Sequence, residues 1–424
     1  MSPRKLLLDS FKVAIGAVDP LRIVPRHLPR DFPDGRTLVV GAGKAAAAMA
    51  LAVENHWQRN AALNGVVLTR YGHGLPLKRI TVIEAGHPVP DEQGEQAARK
   101  VLAEVEKLGT DDLLLCLVSG GGSSLLSLPV AGVTINDLRD VTRELLRCGA
   151  AIQEINTVRK HLSAIQGGRL AASCRAKILA LIISDVAGDD PTHIASGPCA
   201  PDPTTYSDAL AILEHYRINA PAAVMETLVA GAQGKRNDTP KPGDTVFRNV
   251  ENRVIATAHD SLLAAAEYFR HQGIPAAILG DSITGEARDV AKVFAALVKE
   301  IRQYGQPWKA PVALISGGET TVTLHADGRG GRNTEFLLSL AIELNGLPEI
   351  YALACDTDGI DGSENNAGAT ADSDSLHRAT QLDIDAVAFL AGNNAYLFFE
   401  QLGDLVVTGP TRTNVNDYRV ILVF

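Results

Sequence analysis

The sequence predicts an α/β protein of two domains, with strands and helices alternating and the informative loops standing at strand ends. Three observations carry that prediction. Short apolar runs alternate with stretches of helical periodicity through most of the chain, the pattern of parallel sheets covered by helices on both faces. The length, 424 residues, exceeds what a single hydrophobic core usually serves. The 38 glycines cluster in short loops directly behind apolar runs, where a backbone without Cβ can approach a ligand.

In chain order the predicted strands are 37–40, 66–69, 113–118, 178–184, 254–257, 276–279, 312–316, 350–355 and 405–407. Each is a short apolar run closed by polar or glycine-rich sequence. Helical stretches lie between them. Val290, Phe294, Leu297 and Ile301 recur at helical spacing, and 336–344 reads as a largely buried helix. Segment 231–245, GAQGKRNDTPKPGDT, breaks the rhythm. Polar, rich in Gly and Pro and without periodicity, it reads as a linker. The expected domains are therefore 1–235 and 246–424.

Composition excludes several function classes. A net charge of −9 does not suit a general nucleic-acid binder, which needs a basic stripe against phosphates. Small anions stay within reach of a local Lys/Arg cluster. Five scattered cysteines without C-x-x-C spacing offer neither a disulfide framework nor a zinc site and fit a reducing cytosol. Cys116, inside an apolar run, reads as a packing group. Asp9 and Lys12 interrupt the N-terminal apolar stretch, and no run is long enough to span a bilayer, so a cytoplasmic protein without a membrane partner is expected.

Ligands of open α/β sheets bind beyond the carboxyl ends of the strands, so those loops are where chemistry is expected. Gly41-Ala42-Gly43-Lys44-Ala45-Ala46 is a tight turn into a helix, whose free N–H groups can hold a phosphate oxygen beside the Lys44 cation. It also matches the G-x-G-x-x-G/A dinucleotide fingerprint. The acidic residue required about 20 positions on is missing, and the next strand ends Thr69-Arg70-Tyr71. Ser119-Gly120-Gly121-Gly122-Ser123-Ser124 exposes successive N–H groups as an anion-binding concavity, with serine hydroxyls as added donors. Its spacing is neither that of a P-loop nor that of a serine-hydrolase elbow.

The stretch 156–163 brings Arg159 and Lys160, suited to a phosphate or carboxylate. His161 there reads as a structural hydrogen-bonding group. Asp185 follows a strand directly, where a general base or a magnesium ligand would stand. Asp189 is a second metal-ligand candidate, although Asp189 and Asp190 flank a turn and would equally cap a helix. In the second half, Ser316-Gly317-Gly318-Glu319-Thr320 repeats the strand-end glycine pattern. Asn333 reads as a helix N-cap, which puts Arg332 at the positive helix mouth, where a guanidinium can clamp a transferring phosphoryl group. Asp356, Asp358 and Asp361 follow another strand, with Asp358 the candidate for magnesium or substrate. This is not an EF-hand, because Ala367 stands at position 12 in place of Glu. A last polar loop over 408–417 lies between short strands.

Taken together and in order, these motifs resemble the glycerate 2-kinase family, whose C-terminal portion is called the MOFRL domain. The matching stretches are GAGKAA (41–46), EAGHPVPDE (84–92), VSGGGSSLL (118–126), INTVRKHLSAIQGGRLA (155–171), ISDVAGDDPTHIASGP (183–198), SGGET (316–320), GGRNTEF (330–336), DTDGIDG (356–362) and TGPTRTNVND (408–417). They are spread over nearly the whole chain. Departures are Arg412, where a small residue is expected, and SENN after GIDG.

The resemblance implies a Rossmann-like, doubly wound N-terminal domain, a smaller α/β domain of MOFRL type, and an active site in the cleft between them. It implies transfer of the γ-phosphoryl group of ATP to the 2-hydroxyl of D-glycerate with Mg²⁺, and active-site roles for Lys44 and Arg332. With these, Asp185 would take the hydroxyl proton and Arg159 or Lys160 would hold the glycerate carboxylate. A homodimer is compatible with the sequence. Two rivals stay open: an NAD(P)H-dependent hydroxypyruvate reductase, and a non-catalytic sugar-acid binding protein using the same loops.

Overall fold

A computed structural model of the chain describes residues 2–31, 33–57 and 62–424. The chain divides into two compact units, Pro20–Ala256, and Met1–Asp19 together with Thr257–Phe424. The boundary expected at 231–245 is therefore corrected at both ends. The segment is polar but docked within the first unit: Asp202 N–H donates to the Pro240 carbonyl at 2.9 Å, and Thr239 Oγ1 donates to Asp202 Oδ2 at 3.0 Å. A strand beyond it still belongs to that unit's sheet. The N-terminal helix Pro3–Ala17 instead buries Leu7, Phe11 and Ala14 with Leu262, Ala266 and Phe269 of the second unit.

The first unit is built on β1 (Thr37–Ala42), β2 (Leu63–Arg70), β3 (Ile80–Ala85), β4 (Leu113–Val118), β5 (Lys177–Ile183) and β6 (Val250–Ala256). They form one sheet of order β3-β2-β1-β4-β5-β6, and every pair is parallel. This is the doubly wound nucleotide-binding order. β1 and β4 are buried along their whole length, which explains why they read as continuous apolar runs. β3 escaped the sequence reading because Thr81 and Glu84 interrupt it. Beside the sheet, Val141, Leu145, Val158, Leu213 and Leu228 pack helices Ile135–Arg147, Ile152–His161, Tyr206–His215 and Ala222–Ala232 into a separate helical core.

The second unit carries β7 (Ala276–Gly280), β8 (Thr284–Glu286), β9 (Val312–Ser316), β10 (Glu319–Thr321), β11 (Ile350–Asp356), β12 (Gly368–Asp372), β13 (Leu405–Val406) and β14 (Asp417–Val423). Its main sheet has the order β13-β12-β11-β14-β9-β7, and β8 and β10 pair separately. Only β7 and β9 run parallel in the main sheet; the other neighbours are antiparallel. The expectation of parallel sheets thus holds for the first unit and is corrected in the second. There β12 and β14 return through loops rather than through crossover helices. Helices Ala287–Tyr304 and Arg332–Leu344 cover one face through Phe294, Val298, Phe336 and Leu340. Phe294 and Phe336 meet edge to face with centroids 5.4 Å apart. No described helix is long and apolar enough to cross a membrane.

Candidate active site

Strand order in the first unit reverses between β1 and β4, and both strands end in glycine-rich loops. The two loops are stitched together: Lys44 N–H donates to the Gly120 carbonyl at 2.8 Å, and Ala45 N–H to Ser119 Oγ at 3.1 Å. Gly43 and Ala46 also donate inward, to Leu68 and Gly43 carbonyls at 3.1 Å each. The four N–H groups of 43–46 are therefore spent internally. This corrects the expectation that the turn after β1 offers them to a phosphate. Gly43 is required for the close approach, since a Cβ would lie 2.1 Å from Ser119 Oγ. Gly41 likewise serves packing, against the Leu117 carbonyl.

The loop after β4 is where the donors remain. Among the described residues, the Gly120 and Gly121 N–H groups make no intramolecular hydrogen bond. Ser119 and Gly122 N–H donate to Ala42 and Ser119 carbonyls. Gly121 has φ +81°, so successive N–H groups turn to one side, the arrangement that cradles an anion. A Cβ on Gly121 would lie 2.9 Å from His87 Nε2 and 3.5 Å from Lys44 Cγ. Lys44 and His87 thus wall the same stretch of backbone. His87 lies within the stretch EAGHPVPDE, whose sequence alone assigns it no role. Its signal lay only in the fold, because β2 and β3 separate it from β1 in the chain.

Arg159 is half-buried on helix Ile152–His161, and among the described residues it has no carboxylate partner. Burial alone pushes its guanidinium down to about 10. A desolvated cation without a counter-charge is stabilised by an anion that reaches it. Lys160, one residue on, is fully buried, 3.3 Å from Asp202 and 3.0 Å from Thr192 Oγ1. Burial works against the Asp202 charge, yet Lys160 and Thr204 hold that carboxyl below its usual value. Lys160 is therefore corrected from a ligand contact to half of a structural ion pair. His161 is structural as expected, bonded to Thr157 O at 2.8 Å and to Asp238 at 3.0 Å.

Asp185 is half-buried just past β5, the strand beside β4. Asp189 lies in a turn at φ +55°, and Asp190 accepts from Thr192 N–H at 3.0 Å, so neither caps a helix of the expected kind. Among the described residues no group of three His, Cys, Asp or Glu side chains is gathered to hold a metal ion.

In the second unit Arg332 is the first residue of its helix, with Gly331 in the N-cap position. The cap expected of Asn333 comes from far along the chain. Asp361 accepts from Asn333 N–H and Thr334 N–H, both at 2.9 Å, and from Thr334 Oγ1 at 2.8 Å. Burial pushes the Asp361 carboxyl upward. Arg332 donates from Nε to Asp417 at 2.7 Å, from Nη1 to Glu319 at 2.7 Å and from Nη2 to Asp356 at 2.8 Å. Burial opposes its charge, but these three carboxylates hold it well above the ordinary value.

Three of the five guanidinium protons are thereby committed, so Arg332 is a pinned cation rather than a loose clamp. Asn333 donates to Asp417 at 2.7 Å and is fully buried. Gly317 and Glu319 N–H donate to Gly280 and Ile283 carbonyls, and Gly318 packs its Cα against Ile283. These glycines answer to packing, which corrects the ligand reading of Gly317 and Gly318. Ser316 Oγ is buried without a partner among the described residues. Asp358 is buried and accepts from Ile360 N–H at 2.8 Å.

A parallel sheet of nucleotide-binding order, with open N–H groups and a lysine at its switch point, defines an α/β protein of doubly wound type. Known proteins place it further. Residues 312–417 match the MOFRL family, and residues 6–229 match a domain of unknown function, DUF4147. The chain is 40% identical to the D-glycerate 2-kinase of Thermotoga maritima, over all of this chain and 99% of that one. It is 50% identical to an Agrobacterium vitis protein provisionally named a hydroxypyruvate reductase, over 100% of this chain and 95% of its relative. The crystal structure of glycerate kinase from T. maritima superposes with a TM-score of 0.87 at 39% identity, covering 99% of each chain. The chain belongs to the MOFRL family of glycerate 2-kinases.

Proposed function

We infer that this protein is a glycerate 2-kinase, transferring the γ-phosphoryl group of ATP to the 2-hydroxyl of D-glycerate to give 2-phosphoglycerate and ADP. The end-to-end similarity to a D-glycerate 2-kinase carries this reading. The chemistry of the first unit supports it. Phosphoryl transfer needs positioning and charge neutralisation more than covalent assistance. The open Gly120 and Gly121 N–H groups with Lys44 supply donors and a cation, and Arg159 is the anchor for a carboxylate.

Asp185, half-buried directly behind β5, is the carboxylate we assign to accept the hydroxyl proton or to hold magnesium. Magnesium is bound mainly through phosphates and water with one or two carboxylates, so no protein cage is required for it. When bound it would neutralise phosphate charge. Within the second unit, three carboxylates fix the plane of the Arg332 guanidinium and leave two of its protons for an anion. Five unpaired cysteines fit a cytoplasmic enzyme.

The test is ADP release from ATP with D-glycerate, followed by NMR of the product. 2-Phosphoglycerate is expected; 3-phosphoglycerate would refute the regiochemistry, and absence of ADP release the kinase itself. The A. vitis relatives' name favours a second reading, a hydroxypyruvate reductase. Against it stand the spent N–H groups of 43–46 and the strand end at Arg70 where a ribose-binding carboxylate belongs. Consumption of NADH with hydroxypyruvate by the purified protein would decide for the reductase.

A further inference from the structure

Ser123 closes the glycine loop after β4, two residues past Gly121, and is half-buried. Its position is held from behind. Gln166 Nε2 donates to the Ser123 carbonyl at 2.7 Å and to the Leu126 carbonyl at 2.9 Å, and Ser127 Oγ donates to the Ser123 carbonyl at 3.1 Å. The hydroxyl itself enters a short chain of buried polar groups. Ser196 Oγ lies 2.9 Å from Ser123 Oγ and 3.1 Å from Asn156 Oδ1, and Asn156 Nδ2 donates to the His193 carbonyl at 3.3 Å. Ser196 and Asn156 are 0% and 2% exposed, so water does not supply the missing partners. Ser196 is presented by a left-handed run: Ala195, Ser196 and Gly197 have φ of 50°, 57° and 57°. Two non-glycine residues in that region are costly and persist where surrounding structure demands them.

The chain has a direction. The His193 carbonyl can only accept, so the Asn156 amide is oriented with its nitrogen toward His193 and its oxygen toward Ser196. Among the described residues, the proton that reaches that buried oxygen is the one on Ser196. A hydroxyl carries one proton, so Ser196 meets Ser123 as an acceptor, and the Ser123 proton is the one spent in their contact. What Ser123 has left for a ligand is then lone pairs alone. The serine that sequence reading counted as an extra donor to an anion is an acceptor.

We propose that Ser123 is the hydroxyl-recognising group of the site, accepting a hydrogen bond from an alcohol of the bound hydroxy acid, with Ser196 and Asn156 as positioning residues that set its polarity. The chemistry selects its ligand: an anionic oxygen at Ser123 would face lone pairs, whereas an alcohol proton is satisfied there. This deepens the kinase reading and rests on it for the identity of the acid, D-glycerate.

The test is calorimetric binding, which needs no turnover, of D-glycerate and of two analogues that each lack one alcohol, D-lactate and 3-hydroxypropionate, to the full-length parent and Ser123→Ala. Ser123→Ala is expected to weaken D-glycerate and one analogue about tenfold, the loss of a neutral hydrogen bond with its desolvated partner left behind. It should leave the other analogue, which lacks the recognised alcohol, within about twofold. Equal weakening of all three acids, or of none, overturns the proposal, as does failure of the parent to bind any of them. Ser196→Ala frees the Ser123 proton to rotate toward the ligand and is expected to reduce the discrimination among the acids while the fold, read by thermal melting, is kept. Unchanged discrimination in that variant overturns the positioning roles. If the parent binds the acids with this pattern but releases no ADP, the kinase reading falls and the Ser123 assignment stands.

Discussion

Replacing Arg332 by Ala strikes two properties at once, and the geometry says which is larger. The guanidinium joins three carboxylates at 2.7–2.8 Å. The Glu319 side chain is 55% exposed, so its pair contributes little. Asp356 and Asp417 are buried; removing the cation they share takes the guanidinium from Asp356 and leaves Asp417 with Arg419. Breaking a buried pair by deleting one partner costs about 3–5 kcal/mol. At about 2–4 °C per kcal/mol for a unit of this size, the second unit should melt roughly 6–20 °C lower.

Turnover should fall about 10²–10³-fold if Arg332 also meets the phosphoryl group, but that loss alone does not separate the two roles. Arg332→Lys does. A point charge cannot span three carboxylates held by a planar fork, so partial recovery of melting temperature is expected with turnover still low. Calorimetric melting and the coupled ADP assay on the parent and both variants measure this. If Arg332→Ala melts within about 2 °C of the parent, the pinning of Arg332 by buried carboxylates is refuted.

Gly121→Ala should cost about 1–2 kcal/mol from its left-handed backbone. Because its Cβ would crowd His87 and Lys44, a larger loss of turnover is expected; melting lowered with turnover intact would remove the cradle from the reaction. Arg159→Ala should raise the glycerate KM about tenfold or more while the ATP KM holds, as befits loss of a charge-assisted hydrogen bond. An equal rise in both would place Arg159 elsewhere. The Asp202 carboxyl lies below its unfolded value, so its contribution to stability is present above about pH 4 and is lost as pH falls through the folded value. In Asp202→Asn the melting temperature should therefore depend less on pH below about 4 than in the parent, which melting across that range would check.

The parts of this protein legible from sequence are those whose cause is local. β4 and β9 were read to the residue because strands buried on both faces must be apolar throughout. Lys44 and Gly121 stand out in the sequence because a glycine turn behind such a strand has its own signature. What stayed hidden depends on partners distant in the chain. Segment 231–245 looks like a linker by composition, and only Asp202, Thr204 and the underlying helix explain why it is docked. Asn333 has the residue type of a cap, but Asp361, 28 positions later, does the capping. Lys160 and Arg159 are adjacent and chemically alike, yet one is neutralised by Asp202 and the other is not. Ser123 shows the limit most sharply. Its residue type says that it can donate or accept, and the choice is made by Ser196, 73 positions away, whose own proton is claimed by Asn156. Motifs therefore locate the chemistry in this fold, while the polarity and charge state of each group are decided by tertiary neighbours that no spacing rule contains.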